Sequence, residues 1–400
     1  MKPSTLYLSY TGLMEPLGRS QVLAYLSRLS KSYSITLVTF EKPAEFSDHA
    51  ARETLKKECE THGITWLPRL YHHKPRLLAT SWDLLMLLWD TWRLTTRNRA
   101  QLVHCRSYIP AIAAWLMGKV TKTPYIFDMR ALWPEEMADA GRLDRKSIIY
   151  KALNWLERRL LRDAATVVSL TQAAVIYLKQ KYPETSNQNY VVIPTCVDLD
   201  RFHTARDRNP ELLTIGSMGT IVSGWYHIDW LFKLYNQALT QTPDACLKIV
   251  TRDNHATIAD TARKNGTPIE RIQFDRASAN EVADKISDMS FGSLFFTAGI
   301  SKLGSAPTRM AEFLSCGIPV IGNRGVGDMA DLIEKYNVGV VIEDGSDSSL
   351  ASGMSKMMDL LSDEKLSQRC RAAAEDFFSA DRGAQKYQTI YSQVIAKLNN

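Results

Sequence analysis

The run SKLGSAPTRMAEFLSCGIPV, residues 301–320, decides the fold class of this chain. Pro307 suits the first turn of a helix, where a missing N–H leaves no bond unmade. Gly317 ends that helix as a C-cap, and Ile318–Ile321 returns to a sheet. With the β-rich run Gly292–Thr297 before it and Val320–Gly322 after it, the segment reads as a β-α-β unit. The same turn carries chemistry. N–H groups around Ser305, Ala306 and Thr308 would face an anion, and the helix dipole with Arg309 or Lys302 would favour a phosphate there. Glu312, one to two turns on, can accept hydrogen bonds from two adjacent hydroxyls, as a ribose offers. Phosphate at the cap and ribose a turn later describe a nucleotide site. The plainer alternative is a capped helix with an exposed Glu.

The unit repeats in both directions. Leu212–Gly216, Cys246–Thr251 and Arg271–Phe274 read as strands, with a helix over Ile228–Leu239. Upstream, Leu6–Ser9, Ile35–Phe40, Leu102–Cys105, Tyr125–Asp128, Thr166–Ser169 and Val191–Pro194 read as strands separated by helical patterns. One of these patterns, Ser20–Ser30, places Val22, Leu23, Leu26 and Leu29 on one face. Near residue 195 the rhythm breaks into Asp198–Phe202 and the polar stretch His203–Pro210. Four hundred residues also exceed what one core holds. The expectation is an α/β fold of two Rossmann-like domains, 1–197 and 198–381, each a doubly wound parallel sheet, facing each other across a cleft. A last helix near Arg382–Leu398, with Tyr387, Ile390, Tyr391 and Val394 at helical spacing, is expected to pack back on the first domain. Ligands of such sheets bind at the carboxyl ends of the strands.

Composition excludes several classes. A hydrophobic share of 45% and a charged share of 23% are those of a globular protein. The six cysteines form no C-x-x-C pair and no Cys/His cluster, so neither a disulfide framework nor a zinc site is expected, and reduced thiols suit a cytoplasmic protein. Met1–Ser4 runs straight into the first strand, which reads as no secretory leader. No stretch reaches the apolar length of a membrane span. The nearest, Trp82–Asp90, is interrupted by Asp83 and Asp90 and followed by Arg93, Arg97 and Arg99. It reads as a helix with one buried face; a helix lying on a membrane surface is the alternative, because Trp beside a basic end is what interfacial helices use. Charge is uneven: residues 1–200 hold 27 Lys/Arg against 19 Asp/Glu, and residues 201–400 hold 22 against 24. A basic half suggests an anionic partner such as a phosphate-bearing lipid, an acidic glycan or the inner face of a membrane; a solvated basic surface with no partner is the alternative. No aromatic-basic nucleic-acid motif is present, so no nucleic acid is expected.

Three further motifs stand at strand ends. YTGLMEPLGRS, residues 10–20, follows the first strand; Gly12 and Gly18 allow close backbone approach, and the helix they open can face a phosphate. A plain strand-to-helix turn is the alternative. FDMRALWPEE, residues 127–136, ends a strand with Asp128 and Arg130 at alternate positions, pointing the same way. They are candidates for an acceptor or donor contact, or a structural ion pair. Asp128 can accept a hydroxyl proton if it lies within reach, whereas Arg130 stays protonated. In IGSMGT, residues 215–220, Gly219 and Thr220 would let backbone amides approach a phosphate, or form a plain turn.

These residues resemble the retaining glycosyltransferases of family 4, which have the GT-B fold, and the resemblance covers nearly the whole chain. The glycine turn at Gly12–Gly18 looks like that family's N-domain phosphate loop. FDMRALWPE is similar to the R-D-L-W-P-E stretch of a bacterial subgroup that builds surface polysaccharides. ERRLLRDAATVVS, residues 157–169, resembles the family's helix-strand element, and VIPTCVDLDRF, residues 192–202, its hinge. The P-T-x-x-x-E-x-x-x-x-G-x-P-V run from Pro307 to Val320 is the most specific. Two departures stand out. The family carries E-x7-E, with the first Glu on the donor sugar and the second on the ribose; Glu312 fits the second, but the first position is Gly304. The family's Arg and Lys after the first strand of the second domain, which clamp the pyrophosphate, are missing from Gly219–Tyr226; Lys302, Arg309 or Arg252 are the available substitutes.

The resemblance implies transfer of a sugar from a nucleotide sugar to a glycan or lipid-linked acceptor, with no tightly bound cofactor and no metal. The donor is expected to be a UDP-sugar, with GDP- or CMP-sugars as alternatives. Retention needs no dedicated base, since the leaving diphosphate takes the acceptor proton. Ser305, Pro307, Thr308 and Arg309 would hold phosphate, Glu312 the ribose, Gly12 and Gly18 the donor side of the first domain, and Asp128 and Arg130 the acceptor. Asp128 becomes a candidate base if a CMP-sugar donor reacts with inversion. A sugar-nucleotide epimerase, a phosphorylase and a transferase retired to a scaffold subunit are the other readings.

Overall fold

The computed structural model describes residues 2–204 and 212–399. Residues 205–211, which hold most of the polar stretch expected between the domains, lie outside the described residues. The chain divides into two compact units, Met1–Pro194 with Ala380–Asn400, and Thr195–Ser379.

The first unit is built on one parallel sheet. Its strands are β1 (Ser4–Ser9), β2 (Ser34–Glu41), β3 (Ile64–Leu70), β4 (Leu102–Arg106), β5 (Tyr125–Met129), β6 (Thr166–Ser169) and β7 (Tyr190–Val192). They lie in the order β3-β2-β1-β4-β5-β6-β7. The order reverses between β1 and β4, which is where such sheets open a crevice at their carboxyl ends. Every residue of β4 and β5 is buried, as expected of strands covered on both faces. β3 escapes a reading of the sequence because Pro68 interrupts its pattern. It is an edge strand, where a missing N–H breaks no ladder bond on the open side.

The last helix, Ala380–Asn399, clusters with this first unit. It buries Tyr387, Ile390, Tyr391 and Val394. Tyr391 lies 2.8 Å from Nδ1 of His104 on β4, and the Tyr387 hydroxyl donates to Asp128 at 3.1 Å. The tyrosine rings supply apolar area while their hydroxyls meet polar groups at the sheet, so burial leaves no orphaned hydroxyl.

The second unit has a six-stranded parallel sheet: β8 (Thr214–Met218), β9 (Cys246–Val250), β10 (Ile272–Asp275), β11 (Phe291–Leu294), β12 (Val320–Asn323) and β13 (Gly339–Ile342). The order is β10-β9-β8-β11-β12-β13, again reversing in the middle, between β8 and β11. One core cluster gathers Ile286, Leu294, Phe313, Leu314 and Ile333; a second gathers Leu231, Phe232, Tyr235, Ile258 and Met354. The helix Thr308–Ser315 buries Met310, Ala311, Phe313 and Leu314 in the first of these, which fixes its rotation. Thr308, Arg309 and Glu312 are left on the other side, only partly buried.

Candidate functional site

Arg309 and Glu312 stand one turn apart on the helix Thr308–Ser315, so their side chains share a face. Together they line a cavity of roughly 180 Å³. Its other walls come from the carboxyl ends of two strands: Met218, Gly219 and Thr220 after β8, and Val250, Thr251 and Arg252 after β9. Ala277 and Val282 complete it. The cavity thus sits beside the reversal in strand order, the default ligand position in an open parallel sheet.

Arg309 is held by the loop beneath it. One of its nitrogens donates to the Thr220 carbonyl, and its guanidinium carbon lies 5.4 Å from the centre of the Tyr226 ring and 5.5 Å from that of Phe296. Gly219 has φ +76°, and a Cβ there would lie 2.8 Å from Nε of Arg309. Only glycine permits both the backbone conformation and the close approach. Burial lowers the Arg309 pKa; nearby Tyr226, Glu312 and Asp253 oppose that shift. Its Nη1 is buried with no hydrogen-bond partner among the described residues. Such a group costs free energy unless a ligand or water meets it.

The Glu312 carboxyl has no hydrogen bond or ion pair among the described residues. Burial raises its carboxyl pKa to about 7, and Arg309 and then Arg201 offset this only in part. A half-buried guanidinium with a spare N–H and a carboxyl poised near neutrality therefore face one cavity. Perturbed charged groups in a cleft mark a functional site.

The rest of the expected phosphate cradle is divided. Pro307 is the N-cap of the helix and makes no side-chain capping bond. The first helical N–H groups, of Thr308 and Arg309, have no acceptor within the helix. Ser305 is used otherwise: its N–H donates to the Lys302 carbonyl at 3.0 Å, closing the short turn Ile300–Gly304. Lys302 places its ammonium 3.2 Å from the centre of the Trp225 ring rather than in the cavity wall. Of the three cations available to replace the missing clamp, Arg309 and Arg252 line the cavity. In the loop after β8, the Gly219 N–H donates to Val250, and the N–H groups of Ile221 and Val222 donate to Asp253 at 2.7 and 2.9 Å. That loop contributes its Thr220 carbonyl to Arg309, and most of its amides are already bound.

The glycine turn of the first unit is occupied by the protein itself. Glu41, at the end of β2, is wholly buried. Its carboxylate accepts the N–H of Leu13 at 2.7 Å and of Met14 at 3.0 Å, and the Thr39 hydroxyl at 2.5 Å. A Cβ on Gly12 would lie 2.4 Å from Glu41, and one on Gly18 would lie 2.1 Å from the Gly12 carbonyl. The amides of Leu13 and Met14 are thus bound by an internal anion, an arrangement that fits the plain strand-to-helix turn given above as the alternative.

Asp128 and Arg130 do lie together, 3.4 Å apart, and Asp128 also meets His104 at 3.4 Å and Tyr387. Burial alone would raise the Asp128 carboxyl pKa. Arg130, then His104 and Arg106, overcome this and hold it well below the usual carboxylate range. A carboxylate so stabilised and so buried is a weak proton acceptor. Here Asp128 pairs with Arg130 and ties the last helix to β5, which is the structural ion pair given above as the alternative to an acceptor contact. Glu41, Asp253, Tyr226 and Phe296 were not legible: each acts through a loop brought to it by the fold, and no motif marks them.

Residues 20–196 match the family described as glycosyl transferase 4-like domain. Among curated proteins, none matches the chain by sequence. Solved structures resemble it over almost its full length. Sucrose-phosphate synthase from Thermosynechococcus elongatus is 13% identical with a TM-score of 0.72, over 99% of this chain and 100% of that one. A glycosyltransferase from Rickettsia africae is 15% identical with a TM-score of 0.70, over 98% and 99%. HepE of Anabaena, solved in complex with UDP and glucose, is 13% identical with a TM-score of 0.64, over 97% and 99%. At these identities the likeness establishes the fold, which is GT-B.

Proposed function

We propose that this chain, a glycosyltransferase of the GT-B fold with a glycosyl transferase 4-like domain over residues 20–196, takes its sugar from a nucleoside diphosphate donor bound in the second-unit cavity. UDP is the first candidate; HepE, of the same fold, was solved with UDP and glucose. Arg309 and the first amides of the helix Thr308–Ser315 hold the phosphates, with Arg252 as the second cation. Glu312, as a carboxylate, accepts hydrogen bonds from the two ribose hydroxyls. The acceptor is a glycan or a lipid-linked sugar in polysaccharide or glycoconjugate synthesis. One observation carries this reading: an unpartnered Arg309 N–H and an unpartnered Glu312 carboxyl face the same cavity at the strand ends.

The chemistry follows from that charge. The bond from the anomeric carbon to the phosphate oxygen breaks, and the acceptor oxygen bonds to the same carbon. Negative charge grows on the leaving diphosphate, where a fixed guanidinium and helix amides lower its energy without reorganising. In the retaining course, the leaving phosphate oxygen takes the acceptor proton on the same face. Asp128 has no part in that transfer.

Thermal unfolding with UDP, GDP, ADP and CMP tests the reading, because a ligand that binds only the native state raises its melting temperature. UDP is expected to raise it most, and Glu312→Ala to abolish the rise. If no nucleotide at millimolar concentration moves the transition, the proposal is wrong.

A further inference from the structure

The helix Arg76–Thr96 is amphipathic in an unusual sense: its carboxylates point inward and its tryptophans outward. Asp83 is fully buried, accepting from the Tyr10 hydroxyl at 2.9 Å and from the His72 N–H at 3.1 Å. Asp90 is fully buried against Arg69, at 2.6 and 2.8 Å. On the opposite side, Leu78, Trp82, Leu85, Trp89 and Trp92 are 37–70% exposed. Their spacing of four, three, four and three residues sets them in one continuous stripe. The rings of Trp89 and Trp92 lie 5.1 Å apart. Soluble monomers rarely leave so large an apolar strip uncovered.

Two neighbouring helices of the same unit extend this character. The helix Tyr108–Thr121 packs against Arg76–Thr96, and Ile148–Asp163 packs against Tyr108–Thr121. They add exposed Val120, Ile149 and Trp155. The surrounding exposed charges are mainly basic: Arg97, Lys119, Lys151 and Arg162, the last paired with exposed Asp163 at 2.7 Å. No exposed position of Arg76–Thr96 described here is acidic. No helix among the described residues is long and apolar enough to cross a membrane. A 21-residue helix is about 31 Å long.

We propose that this face, with the Arg76–Thr96 stripe at its centre, lies flat on an anionic lipid bilayer, its tryptophans at the headgroup boundary and the basic rim on the lipid phosphates. The stripe spacing also suits a partner helix. Two features favour lipid. Tryptophan is the residue of membrane interfaces, whereas helix-helix seams use Leu, Ile and Val. The rim is predominantly basic, with Arg97, Lys119 and Lys151 beside the Arg162–Asp163 pair, which complements an anionic surface.

Co-sedimentation with vesicles of phosphatidylcholine alone, and of phosphatidylcholine with phosphatidylglycerol, tests this with the full chain. The wild type is expected to pellet with the anionic vesicles, less with the neutral ones, and less at high salt. The double variant Trp82→Ser and Trp89→Ser alters only exposed side chains; with an unchanged melting temperature, it should bind anionic vesicles at least tenfold more weakly. Arg97→Gln and Lys119→Gln should each weaken that binding roughly fivefold. Failure of the wild type to bind either vesicle would overturn the proposal, as would unchanged binding by the tryptophan variant. A lipid-free dimer that the tryptophan variant converts to monomer would overturn it too, assigning the stripe to a second copy of this chain.

Discussion

Replacing Glu312 by Gln should stabilise the free protein in a pH-dependent way while weakening its hold on the donor. The carboxyl titrates at 4.5 in the unfolded chain and at about 7 in the folded one. Between those values the folded state keeps a proton that the unfolded state has released. Stability therefore falls as pH rises from 4.5, and the loss is complete once pH passes the folded value. The interval corresponds to about 3 kcal/mol, an upper bound because a partly buried group relaxes and admits water. Gln keeps the shape and removes the charge. Near pH 4, below both values, wild type and variant should unfold alike; at pH 8 the variant should be more stable by about 1–3 kcal/mol. Urea unfolding at both pH values measures this directly. Stabilisation by UDP should shrink at the same time, since an amide offers one acceptor oxygen to two ribose hydroxyls. Equal stability differences at the two pH values would refute the account of the raised pKa. A stability gain with undiminished UDP binding would refute the ribose contact.

Gly219→Ala places a Cβ against Arg309 at a positive φ; calorimetry should show about tenfold weaker UDP binding, and unfolding a loss of about 1–2 kcal/mol. Glu41→Gln replaces one of the two acceptor oxygens by an NH2 donor facing the Leu13 or the Met14 amide, so stability should fall by about 2 kcal/mol. Nucleotide affinity should not rise, as it would if Glu41 were displacing a donor phosphate. Asp128→Asn leaves Arg130 buried beside a neutral partner and should cost roughly 3 kcal/mol at pH 7. Because the Asp128 pKa is depressed on folding, its contribution is fully present above the ordinary carboxylate value near 3.8. The contribution is lost as pH falls below that value, so acid unfolding curves of wild type and Asp128→Asn should converge.

The fold was largely readable because it rests on local signals. Continuous apolar runs such as Leu102–Cys105 and Tyr125–Asp128 bury both faces of a strand wherever they occur, and the strands observed there end within a residue of the expected positions. Pro307 and Gly317 bound a helix whose observed span is Thr308–Ser315. The strands missed were edges: β3, broken by Pro68, and the short β13, half-exposed. Edge strands lack the two-sided burial that produces a readable pattern.

The sequence alone determined the α/β class, the rhythm of two sheets, and the placing of Arg309 and Glu312 on one helical face, because each follows from spacings within a few residues. Tertiary structure decided which groups were free to meet a ligand. It gave the amides of Leu13 and Met14 to Glu41, the amides of Ile221 and Val222 to Asp253, and Asp128 to Arg130 and the last helix. It left an N–H of Arg309 and the carboxyl of Glu312 without hydrogen-bond partners among the described residues. The physical reason is that a polar group's availability depends on every neighbour within about 3 Å, and those neighbours come from distant parts of the chain.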